Sequence, residues 1–448
     1  MTPAHISARQ KHSTLSNTGD GTPLTERQGA ALLDIQRFQM EQRTVFKWRV
    51  GDILIIDNRL VMHSRNPFKN DKSRRILAAI GGAPLYLQER EERDEQHMLT
   101  LRSGDRMPSL GYGVWKVQKD ATANSVYVVI FALCIVEILP HNSFISTLFT
   151  SEHRYEALRA GYRHIDAACD YGNEKEVGEG IARAFREGWL TRKDIWVTSK
   201  LWNTYHKREH VEMAARKSLE DLQIDYFDLY LIHFPISLRF VPFQTRYPPE
   251  WIYDPSADVP KMEHANVPVI ETWRAMERLV ENGMTRNIGV ANFNVQGVRD
   301  ILSYARIPPS VLQVELHPYN TQSKLVRFCR DEGIVVTGFS PLGAGSYQQL
   351  GWTTESDSVL NNKVVTDIAN AHDITSAQVV LRWAIQRGTS AVVKTSSFQR
   401  MKENLNALTW GTLSDEEMSA IDSLNQGRRF NDPGVFTEGM GSFYPIYE

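Results

Sequence analysis

Four ionisable side chains of the kinds used in proton transfer each lie near the end of a short apolar run. Asp166 and Tyr171 stand in "YRHIDAACDYGNEKEVG", residues 162–178, where an apolar run gives way to a loop. Lys200 ends the run "IWVTSK", and His233 lies near the end of "FDLYLIHF". If adjacent strands carry these runs, the four side chains meet at one edge of a sheet.

Together these residue types favour carbonyl reduction without a metal. A free Tyr has a pKa of about 10 and is a weak acid at neutral pH. We expect the ammonium of Lys200 to lower the pKa of Tyr171, and Asp166 to keep Lys200 ionised. His233 would bind the carbonyl oxygen, to which Tyr171 donates a proton as a hydride reaches the carbon. Taken singly, each residue is more simply explained by packing, capping or solvation.

The elements that position these residues follow a strand–helix alternation. Eight short apolar runs are separated by amphipathic stretches; in residues 208–223, for example, Val211, Ala215, Leu219 and Leu222 recur at helical spacing. This alternation predicts an α/β fold, a parallel (β/α)8 TIM barrel, with long loops at 235–268 and 341–362 over one mouth. The predicted strands are 109–115, 162–168, 195–200, 227–234, 287–292, 311–316, 334–340 and 390–395.

Composition narrows the class of protein. The chain has 448 residues and a formal net charge of −2, so nothing in its charge favours nucleic acid or an acidic membrane as partner. Three cysteines without a pairing pattern, and residues 1–30 without an apolar signal segment, predict a cytoplasmic protein. The apolar run 126–139 contains Glu137 and is shorter than the ~20 residues of a membrane span.

Four regions are predicted along the chain. The composition of residues 1–43 predicts a disordered or partly helical leader, and that of residues 44–85 predicts a β-rich fragment. The charged stretch 86–97 is predicted to be a linker, and the barrel is predicted to occupy residues 98–448.

The barrel region resembles the aldo-keto reductase family. The resemblance rests on "GYRHIDAACDYGNEKEVG", "VTSKLWN", "LYLIHFP", "IGVANF", "LQVELHPY", "GFSPLG" and "KTSSFQRMKENL", which occur in the family's order. It implies a catalytic tetrad of Asp166, Tyr171, Lys200 and His233, with Tyr171 as the acid. It also implies NADPH as cofactor, with NADH as the alternative, and a small carbonyl compound as substrate.

The same resemblance assigns the cofactor contacts by position. Asn292 and Gln313 would bind the nicotinamide amide, and Phe339 would stack on its ring. Ser340, Leu342 and Gly343 would line the pyrophosphate. The remaining contacts lie in "KTSSFQRMKENL": Lys394, Thr395, Ser396 and Arg400 at the adenosine 2′-phosphate, with Glu403 and Asn404 at the adenine.

Within the family, the chain is most similar to the branch of xylose and aldose reductases. The stretches "RYPPEWIYDP", residues 246–255, and "RRFNDP", residues 428–433, carry this likeness. It implies that Asn431 contacts a sugar hydroxyl and that Trp115, Trp202 and Phe234 form aromatic walls. Packing is the alternative role for Trp115 and Trp202.

Residues 128–155 depart from the family pattern, because they interrupt the first barrel helix. Removing them restores helical register, whereas Pro140 and the β-branched run exclude one continuous helix. A retained intron is the favoured explanation and a genuine surface insertion the alternative; the transcript sequence distinguishes them.

Residues 44–85 resemble the C-terminal part of taurine-dioxygenase-like iron(II)/2-oxoglutarate oxygenases. The resemblance makes His63 an iron ligand and Arg75 the partner of the 2-oxoglutarate carboxylate. The upstream histidines, His5 and His12, have no acid two residues on, so the usual ligand set is incomplete. We therefore expect no oxygenase activity from this fragment.

The main hypothesis is thus an NAD(P)H-dependent reductase of aldehydes or aldoses, as a monomer or homodimer. Two alternatives stay open: a non-catalytic cofactor-binding regulatory protein, and an inactive fusion product whose barrel is disrupted by residues 128–155. A third, a bifunctional oxygenase–reductase, is disfavoured by the missing ligand pair.

Overall fold

The computed structural model describes residues 97–117, 161–186 and 190–447. Three predicted regions lie outside these ranges: the leader 1–43, the oxygenase-like fragment 44–85 and the interrupting segment 128–155. Of the predicted linker 86–97, only residue 97 is described. The described residues belong to one compact unit, Asp94–Glu448.

Eight strands form a closed barrel in which every neighbouring pair is parallel. The last strand pairs with the first, Ala391 opposite Leu110, which closes the barrel. Each of the eight predicted runs contains or overlaps one barrel strand, so the predicted fold is confirmed. The strands are β1 Met98–Thr100 and β2 Arg106–Pro108 outside the barrel, then β3 Leu110–Gly113, β4 His164–Asp166, β5 Trp196–Leu201, β6 Phe227–Ile232, β7 Thr285–Ala291, β8 Val311–Glu315, β9 Val335–Phe339 and β10 Ser390–Val393.

Helices alternate with these strands and bury their apolar faces. The predicted helix 208–223 is observed as Arg208–Leu222, and its four periodic apolar residues are buried. The helices are α1 Glu174–Arg186, α2 Arg208–Leu222, α3 Val269–Glu281, α4 Val295–Tyr304, α5 Ser323–Asp331, α6 Lys363–His372, α7 Ser376–Gln386, α8 Phe398–Asn406, α9 Asp415–Asp422 and α10 Pro433–Phe436.

A hairpin of β1 and β2, which the sequence reading did not predict, closes the end of the barrel where the strands begin. Met107 of the hairpin is fully buried in one apolar cluster with Leu229 and Leu231. Asn287 Nδ2 also donates a hydrogen bond to Asp105 Oδ2 at 2.7 Å. Because this end is plugged, the site must lie at the opposite mouth, where the strands end.

A buried carboxyl group joins three elements beside that mouth. Glu174, at the start of α1, accepts hydrogen bonds from Ser199 of β5 and from Ser218 of α2, the latter at 2.7 Å. Burial raises the pKa of Glu174 to about 7, although the two serine hydroxyls act in the opposite direction. The folded state therefore holds a proton that the unfolded chain releases at lower pH.

This linkage gives a stability prediction for Glu174→Gln. Between about pH 4.5 and 7 the wild type loses stability as the pH rises, because the folded-state pKa lies above the unfolded value. Gln does not ionise, so the free energy of unfolding of the variant relative to wild type should rise through this window by up to about 3 kcal/mol. Urea unfolding at pH 5 and pH 8 measures it, with Glu179→Gln on the exposed face of α1 as control. A pH-independent difference would contradict the prediction.

Candidate active site

A buried ion pair forms the centre of the site. Lys200 Nζ lies 2.6 Å from Asp166 Oδ1, and both side chains are almost fully buried. The ammonium also donates to the backbone oxygen of Ala167 at 2.9 Å and to the hydroxyl oxygen of Tyr171 at 3.2 Å. An ammonium has three protons to donate, so each has a partner here.

The local sequence explains the position of Tyr171. Residues Cys169–Tyr171 form one turn of 3₁₀ helix, which Gly172 ends with a φ of 68°. Asn173 then donates from Nδ2 to the backbone oxygens of Val114 and Val117, at 2.9 and 3.3 Å. These bonds tie the loop after β4 to the loop after β3, which holds the phenol at the mouth.

The pKa of Tyr171 differs from the sequence expectation, which was a value lowered by Lys200. Burial raises the pKa of Tyr171 well above its ordinary value, and the carboxylates of Asp166 and Asp170 act in the same direction. The expectation was wrong because it left out the burial of the phenol and counted only the effect of the Lys200 charge on Tyr171, although it placed Asp166 beside Lys200. Asp166 balances that charge at contact distance, and the phenol is desolvated. Tyr171 is therefore a protonated donor over a wide pH range.

Asp170, which the sequence reading did not single out, adds to this effect. Burial, with Glu250 as a nearby second carboxylate, raises the pKa of Asp170 to about 8. Asp170 is therefore mostly neutral at physiological pH and carries the charge that opposes ionisation of Tyr171 only in the alkaline range.

His233 completes the group of four. It follows β6, and its ring centroid lies 5.8 Å from that of Tyr171 and 5.2 Å from that of Trp202. Burial, followed by the charge of Lys200, lowers the pKa of His233 well below its ordinary value. The imidazole is therefore neutral at physiological pH and can donate one N–H hydrogen bond.

The two amide side chains predicted for the nicotinamide belong to the next two strands, one within β8 and one directly after β7. Gln313 of β8 donates from Nε2 to Asp166 Oδ2 at 2.7 Å. Asn292 follows β7 with a φ of 64°, and its Nδ2 donates to the backbone oxygen of His233 at 2.8 Å. Both side chains thus adjoin the tetrad.

The residues predicted for the phosphates form a second group. Partial desolvation and the nearby charge of Arg400 lower the pKa of Lys394, an exposed residue, so the two cations lie close enough to repel each other. Lys116, which was not predicted, adds a third cation, since Lys394 contributes to lowering its pKa. Two amides beside the tetrad and a cluster of three neighbouring cations fit a nicotinamide dinucleotide with an extra phosphate.

The other predicted cofactor residues lie along the same rim. Phe339 ends β9, and Ser340, with a φ of 49°, shares a hydrogen bond with the Tyr347 hydroxyl at 2.7 Å. Leu342 and Gly343 follow in the same turn. Among the residues predicted to bind the adenosine 2′-phosphate and the adenine, Thr395 and Asn404 are buried, whereas Ser396 and Arg400 are exposed. Glu403 accepts a hydrogen bond from Gln399.

Trp115, Trp202 and Phe234, which were predicted to form aromatic walls, belong to one continuous series of ring contacts that also includes other aromatic side chains. Trp202 packs edge-on against Phe234 and Trp251, with ring centroids 6.2 and 4.9 Å away. The remaining ring pairs are Trp251–Phe436, Phe436–Trp352, Trp352–Tyr347 and Tyr347–Trp115, each with centroids less than 6 Å apart.

Asn431 is held at this mouth by a carboxylate that sequence reasoning missed. Glu315, fully buried at the end of β8, accepts the backbone N–H of Phe430 on Oε1 and that of Asn431 on Oε2, both at 2.8 Å. His317 lies 2.8 Å from the same Oε1. The acid within "LQVELHPY" was visible in the sequence, but its distant partners were not.

Comparison of the sequence with known proteins identifies the family of this chain. A model of the aldo/keto reductase family matches residues 152–426. An NAD(P)H-dependent D-xylose reductase of Aspergillus niger is 42% identical over 349 residues, which cover 78% of this chain and 98% of that protein. A probable D-xylose reductase of Arthroderma otae is 43% identical over 349 residues, 78% of this chain and 95% of that protein. The chain therefore belongs to the aldo-keto reductase family.

A solved structure and a second family model extend the comparison. The aldose reductase of Schistosoma japonicum has a TM-score of 0.63 and 31% identity, covering 78% of this chain and 99% of that chain. A model of the taurine catabolism dioxygenase TauD, TfdA family matches residues 5–80. This supports the resemblance noted for 44–85, and the match begins upstream, within the segment predicted to be a leader.

Replacing the buried acid tests how Asn431 is held. Glu315→Gln puts an amide N–H against a backbone N–H, so one of the two bonds is lost. Because hydrogen bonds to charged groups contribute about 1.5–3 kcal/mol, amide hydrogen exchange in a peptide spanning 430–431 should become about 10- to 100-fold faster. The surface variant Glu332→Gln, which alters a pair with Arg299, is the control. Unchanged exchange at 430–431 would refute the role of Glu315.

Proposed function

We propose that this chain reduces aldehydes or aldoses to alcohols, with Tyr171 as the proton donor. The chain is an NAD(P)H-dependent oxidoreductase of the aldo-keto reductase type, consistent with the family match and the reductase relatives. The observation that carries the assignment of roles is the buried contact of Lys200 with both Asp166 and Tyr171.

The direction of the hydrogen bonds explains how the phenol is oriented. Lys200 donates to the Tyr171 oxygen, so the phenolic proton is left to point towards a substrate. Neutral His233 supplies a second hydrogen-bond donor, its ring N–H, to the carbonyl oxygen of the substrate that the phenol faces. A bound reduced nicotinamide supplies the hydride in this reaction.

The proton is transferred from Tyr171 to the carbonyl oxygen of the substrate as negative charge develops on that oxygen. As the carbonyl oxygen becomes an alkoxide it takes the proton of Tyr171, which leaves a phenolate. Lys200, 3.2 Å from that oxygen, stabilises the phenolate, while Asp166 holds Lys200 in place. The high pKa of Tyr171 keeps the phenol protonated until this step.

NADPH is the proposed preferred cofactor. Lys394 and Arg400 lie close together with Lys116 nearby, and three cations suit the pyrophosphate and an adenosine 2′-phosphate. Asn292 and Gln313 would hold the nicotinamide amide, because each adjoins the tetrad and retains unused hydrogen-bonding capacity.

An aldose is the proposed substrate class, as the names of the relatives suggest. Asn431, fixed by Glu315, offers a polar contact for a sugar hydroxyl, and the aromatic wall encloses the carbon chain. No helix within the described ranges is long and apolar enough to cross a bilayer. The cytoplasmic location and the monomer or homodimer stay predictions.

Tyr171→Phe tests the acid. The ring is kept and only the donor is lost, so kcat with D-xylose or glyceraldehyde should fall by about 10²–10⁴-fold while NADPH still binds. Tyr226→Phe, whose ring lies under Arg192 and Arg286 at the plugged end of the barrel, is the matched control. Turnover at the wild-type rate in Tyr171→Phe would exclude the proposed role.

Arg400→Ala tests the phosphate assignment. Loss of one charge-assisted hydrogen bond should weaken NADPH binding by about 10- to 100-fold and leave NADH binding nearly unchanged. Arg327→Ala, at an exposed side chain of α5, is the control. An unaltered ratio of the two dissociation constants would reject Arg400 as a phosphate ligand.

A further inference from the structure

Asn292 is held from both ends of its side-chain amide. Its Nδ2 donates to the backbone oxygen of His233 at 2.8 Å, and its Oδ1 accepts a hydrogen bond from the Tyr447 hydroxyl at 2.9 Å. Its backbone N–H donates to the oxygen of Gln313 at 2.9 Å. The backbone of Asn292 has a φ of 64°, which is uncommon outside glycine but which Asn adopts more often than most residues.

Tyr447 reaches Asn292 from a segment 155 residues further along the chain. Its ring lies beneath the guanidinium of Arg429, 3.8 Å from the ring centroid. The preceding residue, Ile446, accepts a weak hydrogen bond from Asn294 Nδ2 at 3.4 Å. The ring is thus fixed by contacts that do not involve its hydroxyl, and the hydroxyl is aimed at one acceptor.

The protonation state of Tyr447 suits a donor. Burial raises the pKa of its hydroxyl above the ordinary value, although Arg429 acts in the opposite direction. The phenol therefore stays protonated at physiological pH. Asn292 Oδ1 has two lone pairs and Nδ2 two protons, so each atom keeps one site beyond these internal bonds.

We propose that Tyr447 is a positioning residue for the cofactor, which orients the Asn292 amide so that its remaining donor and acceptor face the nicotinamide carboxamide. The inference rests on the proposed function, because Asn292 is a cofactor contact only in a nicotinamide-dependent enzyme. Tyr447 does not itself need to touch the cofactor. It reduces the freedom that Asn292 would otherwise lose on binding.

Tyr447→Phe tests the proposal, since it keeps the ring and the Arg429 contact and removes only the donor. Calorimetry on the full chain should show NADPH binding about three- to tenfold weaker, the usual effect of one neutral hydrogen bond. Adenosine 2′,5′-bisphosphate, which lacks the nicotinamide, should bind as it does to the wild type. In an Asn292→Ala background the same substitution should have no further effect on NADPH binding.

Tyr444→Phe is the matched control, because it removes a hydroxyl from the same segment while its ring still stacks on His264. Equal NADPH affinity of Tyr447→Phe and wild type would overturn the proposal and leave the proposed function intact. Equal weakening of both ligands would also overturn it, because the effect would then be a general disturbance of the site. A wild type that binds neither ligand would instead refute the proposed function.

Discussion

The site depends on the ion pair between Lys200 and Asp166. Burying an ammonium costs several kcal/mol unless a counter-charge and hydrogen bonds compensate it. Here the carboxylate lies at 2.6 Å, and two oxygens accept the remaining protons. One of those oxygens belongs to Tyr171, so the interactions that make the buried charge tolerable also set the orientation of the phenol. The orientation of the proposed proton donor and the local stability of the barrel therefore depend on the same contacts.

The register of the barrel makes this pair possible. Asp166 of β4 lies opposite Thr198 of β5, and Lys200 is two residues further along β5, on the same face. A shift of one residue along β5 would turn Lys200 to the outer face of the barrel, where Ser199 meets Glu174. Among the described residues, the hairpin covers the other end of the barrel, so these side chains face the mouth where the strands end.

Much of this arrangement could be predicted from the sequence. The alternation of runs predicted the barrel, and the rule that strand ends converge predicted Asp166, Lys200 and His233 as neighbours. Tyr171 was placed by its nearness to Asp166. The hairpin was missed because strands of three residues, such as Met98–Thr100, carry no periodicity that distinguishes them from loops.

What the sequence did not reveal are contacts between distant segments. Glu315 and Asn431 are 116 residues apart, and Tyr447 and Asn292 are 155 apart, so no local pattern joins them. Trp251 and Phe436 enter the aromatic wall from a long loop and a four-residue helix. The pKa of Tyr171 was predicted in the wrong direction because burial is a property of the whole fold.

The pH dependence of kcat/KM for aldehyde reduction, in the wild type and in Asp166→Asn, tests the central claim most directly. Asp166 raises the pKa of Tyr171 while it balances Lys200. The basic limb of the wild-type profile that reports loss of the phenolic proton should therefore lie in the strongly alkaline range, since the phenol remains protonated below it. Removing the carboxylate charge should move the basic limb of the profile of the variant to lower pH. A basic limb that stays in place, or moves to higher pH, would contradict the account.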